Sequence, residues 1–275
     1  MKNSRIAFIG CGNMGRSLIG GLIANGQSVN SITGTDINAE QRQTAASQFN
    51  IEVLEDNRQA IKGADVVVLA VKPQSMQETL LAIRADLVRE KPLLISIAAG
   101  IQLSHLGLWA GEELAIVRAM PNTPALIQSG ATALCANQCT SETQRDLAEA
   151  IMRSVGLALW LDDESLMDAV TALSGSGPAY YFLIMEVMEK AATRLGLSQE
   201  HARILTLQTA FGAAKMALES NHDAETLRKQ VTSPGGTTEQ ALNVLMSGGI
   251  EDLFTEALKA AQERSAELAA SLGGE

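Results

Sequence analysis

The sequence is poor in aromatic residues and in positive charge. Phe, Trp and Tyr make up 3% of the chain, and 21 Lys and Arg stand against 31 Asp and Glu, giving a net charge of −10. Nucleic acids and anionic membranes require a basic surface, and single strands also require aromatic stacking platforms. We therefore expect no nucleic-acid partner and no membrane partner.

Cysteine and long apolar runs are also scarce. The three cysteines, Cys11, Cys135 and Cys139, are an odd number in 275 residues, which is a poor disulfide framework. The longest apolar run, 66–71, is far shorter than the roughly 20 residues of a membrane span, and the first residues hold no signal-peptide core. These features predict a cytoplasmic protein. The three histidines have no partners at ligand spacing, so no metal site is expected.

Short β-branched runs alternate with helical patterns in the first part of the chain. This alternation predicts an α/β, doubly wound domain over 1–162. The predicted strands are Arg5–Ile9, Ser31–Thr35, Asp65–Val71, Leu93–Ile97, Leu114–Arg118, Ala131–Ala136 and an edge strand at Gly156–Leu161. The predicted helices between them are Met14–Asn25, Ala39–Phe49, Ser75–Leu87 and Leu103–Trp109.

The β-branched runs stop after residue 162. Stretches rich in Ala, Leu, Met, Glu and Gln predict an all-helical domain over 163–275. Pro178 and Gly196 mark the start and end of its first long helix, and Ser198 is the expected N-cap of the next. The helix that Ser198 caps is predicted to run to about Ser220. Further helices are predicted over Ala224–Gln230, after Thr238 and over Ile250–Leu272.

The glycine-rich segment Gly10–Gly15 follows the first predicted strand and leads into a helix. Its GxGxxG spacing suits a tight turn, close approach of the backbone to a pyrophosphate, and free N–H groups at the helix N-terminus. Asp36, roughly 20 residues on, would accept a hydrogen bond from a ribose 2′-hydroxyl and repel a 2′-phosphate, which favours NADH. The alternatives are glycines that serve packing alone and an ordinary loop or helix-capping role for Asp36. A Walker loop needs a lysine where this chain has Arg16.

Two glycine-rich loops of the helical part also run into helices. They are Ser174–Pro178 and Ser233–Thr238, and each offers backbone N–H groups that could hold a small anion such as a carboxylate. The alternatives are close helix packing and a capping box formed by Thr237 and Gln240. A serine-hydrolase elbow is excluded because Ser174 and Ser176 lack the required flanking glycines.

Six segments together resemble the motif series of the pyrroline-5-carboxylate reductases. They are Phe8–Gly15, Ala70–Gln74, Ser96–Gly100, Arg118–Pro124, Leu173–Tyr180 and Val231–Thr238. The resemblance implies an NAD(P)H-dependent oxidoreductase of proline biosynthesis that reduces 1-pyrroline-5-carboxylate to L-proline. It also implies a Rossmann domain followed by a helical substrate-binding and dimerisation domain. Members form homodimers, which often assemble further into rings.

The resemblance also assigns site residues. The expected cofactor is NADP or NAD. The residues expected around it are Gly10, Cys11, Gly12, Asn13, Met14, Gly15, Asp36, Asn57, Ala70, Val71, Lys72, Pro73, Ala98, Ala99, Met120, Pro121 and Asn122. The expected substrate-binding residues are Glu164, Gly175, Ser176, Gly177, Ser233, Gly236, Thr237 and Thr238. Thr238 is also the expected catalytic residue, a hydroxyl that orients or protonates the ring nitrogen.

Two positions depart from the family pattern. Asp36 stands where many members have small or basic residues, so the choice between NADH and NADPH stays open, and 221–223 lack the usual acidic, proline-containing turn. Two other functions are compatible with the sequence. One is reduction of a related imine or keto acid, and the other is a non-catalytic NAD(P)-binding regulator. The Ser233–Thr238 loop argues against the regulator, which would need no second anion site.

Overall fold

A computed structural model of the chain describes residues 4–273, and its first part is built on an eight-stranded sheet. The spatial order is β3-β2-β1-β4-β5-β6-β7-β8. The strands are β1 (Ile6–Ile9), β2 (Ile32–Thr35), β3 (Glu52–Leu54), β4 (Val66–Leu69), β5 (Leu93–Ser96), β6 (Ile116–Met120), β7 (Gly130–Ala136) and β8 (Gly156–Trp160). Neighbouring strands are parallel except for the antiparallel pair β6–β7.

Helices connect the strands and, with the turns between them, make up the chain that follows β8. They are α1 (Asn13–Ala24), α2 (Ala39–Phe49), α3 (Asn57–Ile61), α4 (Met76–Glu90), α5 (Leu103–Ala110), α6 (Glu142–Arg153), α7 (Met167–Val170), α8 (Gly177–Arg194), α9 (Gln199–Glu219), α10 (Ala224–Gln230), α11 (Thr237–Ser247) and α12 (Ile250–Gly273). A π-helical turn, Thr171–Gly175, follows α7. Among the described helices, none has the length and hydropathy needed to cross a membrane.

The central strands are covered on both faces, as continuous apolar strands of parallel sheets require. Every residue of β1, β4 and β5 is buried. Because alternate residues point to opposite faces, Phe8 packs in one apolar layer with Leu18, while Ile9 packs in the other with Leu80. The doubly wound α/β fold predicted from the alternating pattern is confirmed.

The strand order reverses between β1 and β4, which both have their carboxyl ends at one edge of the sheet. In open α/β sheets, ligands bind in the crevice outside this edge at the point of reversal. The loops that follow β1, β4, β5 and β6 meet there because these strands are parallel. The strand order alone therefore brings four of the predicted cofactor segments to the same edge of the sheet.

Some elements differ from the sequence prediction. β3, α3 and α6 were not predicted, and β6 lies two residues later than the predicted Leu114–Arg118 strand. β3 has only three residues and none is buried, so the sequence has no buried apolar run there that would predict a strand. The start of α6 did have a sequence signal, because Ser141 and Gln144 form a reciprocal capping box.

The described chain divides into two compact units. One unit is Gly177–Ala260, and the remaining described residues form the other, which we call the sheet unit. Residues 163–176 belong to the sheet unit, where Met167 packs with Ala133 and Cys135. The domain boundary at 162/163 therefore stays a prediction and does not coincide with this division.

We predict that Gly156→Ala destabilises the sheet unit. Gly156 has φ +148°, and an added Cβ would lie 2.1 Å from the Gly130 carbonyl oxygen, so both strain and a clash oppose the substitution. The expected loss is about 2–4 kcal/mol in the free energy of unfolding measured with urea.

Gly107→Ala is the matched control. Gly107 lies within α5, and beyond its chain neighbours and the nearby backbone of α5 no described atom lies within 4 Å of the position of its added Cβ. This variant should gain up to about 1 kcal/mol from helix propensity. An equal response of both variants would contradict the explanation.

Candidate functional site

The glycine loop after β1 contains two glycines that packing requires and one that it does not. Gly10 has φ +103°, and a Cβ there would lie 2.6 Å from the Ala70 carbonyl oxygen. A Cβ on Gly15 would lie 2.4 Å from the Gly10 carbonyl oxygen. At Gly12, however, no described residue other than its two chain neighbours has an atom within 4 Å of that position. Packing alone therefore does not explain Gly12, whereas close approach of a ligand does.

Helix α1 begins directly at this loop. Gly12 is its N-cap residue, and no side chain of residues 4–273 caps its first turn. The N-terminal N–H groups of a helix need partners, and they favour an anion such as a phosphate. The loop and helix thus fit the dinucleotide pyrophosphate expected from the sequence.

Asp36 follows β2 and is hydrogen-bonded to the glycine loop. Its Oδ2 accepts a bond from the Cys11 N–H at 2.9 Å, and its Oδ1 accepts one from the Asn38 N–H at 2.9 Å. The carboxylate therefore has the role of a loop carboxylate, whereas the cap of α2 is Asn38. Each carboxylate oxygen can accept a second hydrogen bond, so contact with a ribose hydroxyl remains compatible with this role.

Arg42 supports the loop that contains Asp36. Its Nη1 donates to the carbonyl oxygens of Asp36 and Ile37, at 2.8 and 3.1 Å. Its Nη2 forms an ion pair with Glu55 at 3.3 Å. The guanidinium nearest to the Asp36 backbone is therefore engaged by three oxygen atoms of the protein itself.

Two predicted cofactor residues have inward-facing side chains. Burial raises the pKa of the Cys11 thiol to about 12, and the Asp36 carboxylate adds to this effect. The sulfur lies where a Cβ on Gly34 would come within 2.7 Å, so a cofactor contact of Cys11 would have to use its backbone. Asn57 accepts a hydrogen bond from the Thr35 hydroxyl at 2.7 Å, which joins the start of α3 to the end of β2.

The loops after β4 and β5 provide further backbone at the same edge. Ala70, Val71, Lys72 and Pro73 follow β4, and Lys72 is exposed. After β5, Ala98 is buried and Ala99 is exposed. This second loop also contains Gly100, where an added Cβ would lie 3.5 Å from Leu272 of α12.

The segment after β6 is fixed by its own contacts. The Asn122 amide donates to the Ser174 carbonyl at 3.0 Å and accepts from the Ala131 N–H at 2.8 Å. The Met120 methyl group lies 2.5 Å from the position of a Cβ on Gly175, so a larger residue at 175 would displace it. Met120, Pro121 and Asn122 thus occupy a defined place beside the π-helical turn.

Glu164, expected beside the substrate, has two partners in the sheet unit. Its Oε1 accepts hydrogen bonds from the Arg118 guanidinium and from the Leu103 N–H, both at 2.8 Å. Arg118 is buried, and it is not among the site residues predicted from the sequence. The available signal was an arginine within the otherwise apolar strand β6, which needs a buried partner.

The Ser233–Thr238 loop leads into α11 in the other unit. The alternative of a capping box formed by Thr237 and Gln240 is wrong: Gly236 is the N-cap, Thr237 is the first helical residue, and no described side chain caps this turn. The Gly235 N–H donates to Glu239 Oε2 at 2.8 Å, and the Gly236 N–H donates to the Ser233 carbonyl at 3.0 Å. Ser233, Thr237 and Thr238 are exposed, so the first turn of α11 is open to an anion.

The remaining predicted substrate residues lie at the π-helical turn. Gly175 and Ser176 belong to the sheet unit, and Gly177 begins α8 in the other unit. The Ser176 N–H donates to the Thr171 carbonyl at 2.8 Å. Within the described residues, no group of three or more His, Cys, Asp or Glu side chains could hold a metal ion.

Comparison with known proteins agrees with this arrangement. Residues 164–268 match the family model of pyrroline-5-carboxylate reductase dimerisation, and residues 5–100 match that of coenzyme F420-dependent NADP oxidoreductases. The pyrroline-5-carboxylate reductase of Pseudomonas aeruginosa is 52% identical to this chain, and the alignment covers 99% of this chain and 100% of that protein.

Solved structures give the same result. A pyrroline-5-carboxylate reductase from Coxiella burnetii superposes with a TM-score of 0.93 at 47% identity, covering 97% of this chain and 98% of that one. The Plasmodium falciparum pyrroline carboxylate reductase with NADP bound has a TM-score of 0.86 at 31% identity, covering 98% and 99%. Taken with the two glycine-rich loops, these matches mean that the chain belongs to the pyrroline-5-carboxylate reductase family.

Proposed function

We propose that this protein reduces 1-pyrroline-5-carboxylate to L-proline with NAD(P)H, the last step of proline biosynthesis. The observation that carries the proposal is the 52% identity to a reductase of that name over 99% of the chain. The two uncapped helix N-termini, of α1 and α11, support it because they provide one anion site for a dinucleotide and one for a small carboxylate.

The cofactor is held by the carboxyl edge of the sheet. The first turn of α1 binds the pyrophosphate through backbone N–H groups, and the space at Gly12 admits it. Asp36 accepts a hydrogen bond from the ribose, while the segments 70–73, 98–99 and 120–122 border the rest of the molecule. When bound, NAD(P)H supplies a hydride.

The substrate carboxylate is held by the first turn of α11. Its partners are the N–H groups of Gly236, Thr237 and Thr238 and the hydroxyl of Ser233. A helix N-terminus favours an anion through both hydrogen bonds and its dipole. Gly175, Ser176 and Gly177 border the substrate as further proposed contacts.

Reduction of the imine adds a hydride to the ring carbon and a proton to the ring nitrogen. A protonated imine is already electrophilic, so the protein mainly has to hold its reacting carbon in place. We assign to the Thr238 hydroxyl a hydrogen bond to the ring nitrogen, which orients this atom and assists its protonation. The hydroxyl is exposed at the second residue of α11, directly beside the proposed carboxylate site.

We also propose that the protein works in the cytoplasm as a homodimer, with a ring of dimers as its larger assembly. The match of residues 164–268 to a dimerisation family supports the homodimer. The helix α8 supports it as well, since Tyr181, Phe182, Leu183 and Val187 are each more than half exposed in the single chain. A second copy that covers these side chains would remove apolar surface from water.

The proposed reaction is tested by following the absorbance of the reduced nicotinamide. We expect oxidation that depends on 1-pyrroline-5-carboxylate, and a kcat/KM higher than that for its six-membered-ring homologue. Binding of the dinucleotide without turnover of either imine would contradict the reductase and favour a regulator.

The role of Thr238 is tested with two substitutions. Thr238→Ala should lower kcat/KM by about 10²-fold, because the ring nitrogen loses its hydrogen-bonding group, while NAD(P)H binding is retained. Thr238→Ser keeps a hydroxyl and should recover most of the activity. The control is Thr255→Ala in α12, whose hydroxyl bonds only the Glu251 carbonyl among its described contacts. Unchanged kinetics in Thr238→Ala would remove this residue from the mechanism.

The role of Asp36 is tested by the ratio of kcat/KM for NADPH to that for NADH. Asp36→Asn removes the negative charge that repels a 2′-phosphate, so the ratio should rise about tenfold or more. Glu40→Gln in the first turn of α2 removes a nearby exposed charge and serves as the control. An equal change of the ratio in both variants would contradict discrimination by Asp36.

A further inference from the structure

A partly buried ion pair lies beside two of the loops at the carboxyl edge of the sheet. Arg118 Nη1 lies 2.8 Å from Glu164 Oε1, and the arginine side chain is only 5% exposed. The same oxygen atom accepts the Leu103 N–H at 2.8 Å. One carboxylate oxygen therefore holds a strand residue and the start of a helix together.

Both partners of Glu164 lie next to segments assigned to the cofactor. Arg118 precedes Met120, Pro121 and Asn122 on the same strand and loop. Leu103 is the first residue of α5 and ends the loop that begins after β5 and contains Ala98 and Ala99. The position of the Glu164 carboxylate thus affects the placement of both loops.

Stability alone is a weak explanation of this pair. Two charges removed from water recover little net energy, and well-packed apolar residues often stabilise such a position equally well. What an apolar pair cannot reproduce is the directional bond to the Leu103 N–H together with the fixed position of the guanidinium. A requirement that these two loops keep a fixed geometry explains the charged pair better than stability does.

We propose that Arg118 and Glu164 are positioning residues that fix the loops after β5 and β6 against the bound cofactor. The proposal rests on the proposed reductase function and on the assignment of these loops to the cofactor. It gives Glu164 a role different from the direct substrate contact implied by the family resemblance. Misplacement of reacting groups by about 1 Å can cost 10²-fold in rate, so small loop shifts have measurable effects.

The test begins with Glu164→Gln and Arg118→Met in the full-length enzyme. We expect each variant to weaken NADH binding, measured by fluorescence titration without substrate, and to lower kcat at least tenfold. KM for 1-pyrroline-5-carboxylate should change less than threefold. A raised KM for the imine with unchanged NADH binding and kcat would instead indicate a direct substrate contact and overturn the proposal.

Glu149→Gln is the control, matched in the exposure of the carboxylate although its arginine partner is 61% exposed. Glu149 also pairs with an arginine, Arg153, at 2.8 Å, and also accepts a bond from a neutral N–H, that of Trp160, at 2.7 Å. Its side chain is 26% exposed against 27% for Glu164, but its partners lie on α6 and β8. This variant should keep wild-type NADH binding and kcat. Losses equal to those of Glu164→Gln would show a general effect of removing such a pair and overturn the proposal.

The double variant Arg118→Met/Glu164→Gln separates positioning from stability. It leaves no unpaired buried charge, so its Tm should recover relative to Arg118→Met or Glu164→Gln alone. Its NADH affinity and kcat should stay low, because the guanidinium that fixed the loop after β6 is still missing. Recovery of Tm, NADH affinity and kcat together would mean that the pair has a structural role only. Because NADH binding is measured without turnover, failure of the proposed reaction is distinguishable from failure of this proposal.

Discussion

The central constraint of this structure is a backbone approach too close for any side chain. Gly10 passes the Ala70 carbonyl, and Gly15 packs over Gly10, each at a distance that no Cβ could occupy. These contacts place the first turn of α1 directly above the point where the strand order reverses. The loop is tightly packed on its inner side, at Gly10 and Gly15. At Gly12, on its outer side, it leaves space for a ligand.

The other unit also contains a helix N-terminus that no described side chain caps, for which we propose a different ligand. Helix α11 also follows a glycine-rich loop, also has a glycine as its N-cap, and presents a first turn that no side chain of the described residues caps. Exposed hydroxyls of Ser233, Thr237 and Thr238 surround this turn. Backbone N–H groups bind an anion without a buried charge, which suits a reaction in which the protein mainly positions a carboxylate and an imine.

Much of this arrangement could be predicted from the sequence, because the signals were local. Short buried strands and glycine loops predicted the doubly wound sheet, and Ser198 and Gly196 marked helix ends correctly. The pairing of Arg118 with Glu164 could not be predicted, since these residues are 46 positions apart and meet only in the folded chain. The capping box at Thr237 failed for another reason, because its pattern fits the sequence but the helix starts one residue earlier than a cap at Thr237 requires.

The proposed contacts of the two helix N-termini are tested most directly by a crystal structure with a nicotinamide dinucleotide and L-proline bound. The account predicts the pyrophosphate on the first turn of α1 and the proline carboxylate within hydrogen-bond distance of the N–H groups of 236–238. A carboxylate bound by other groups, with the first turn of α11 left to water, would contradict it.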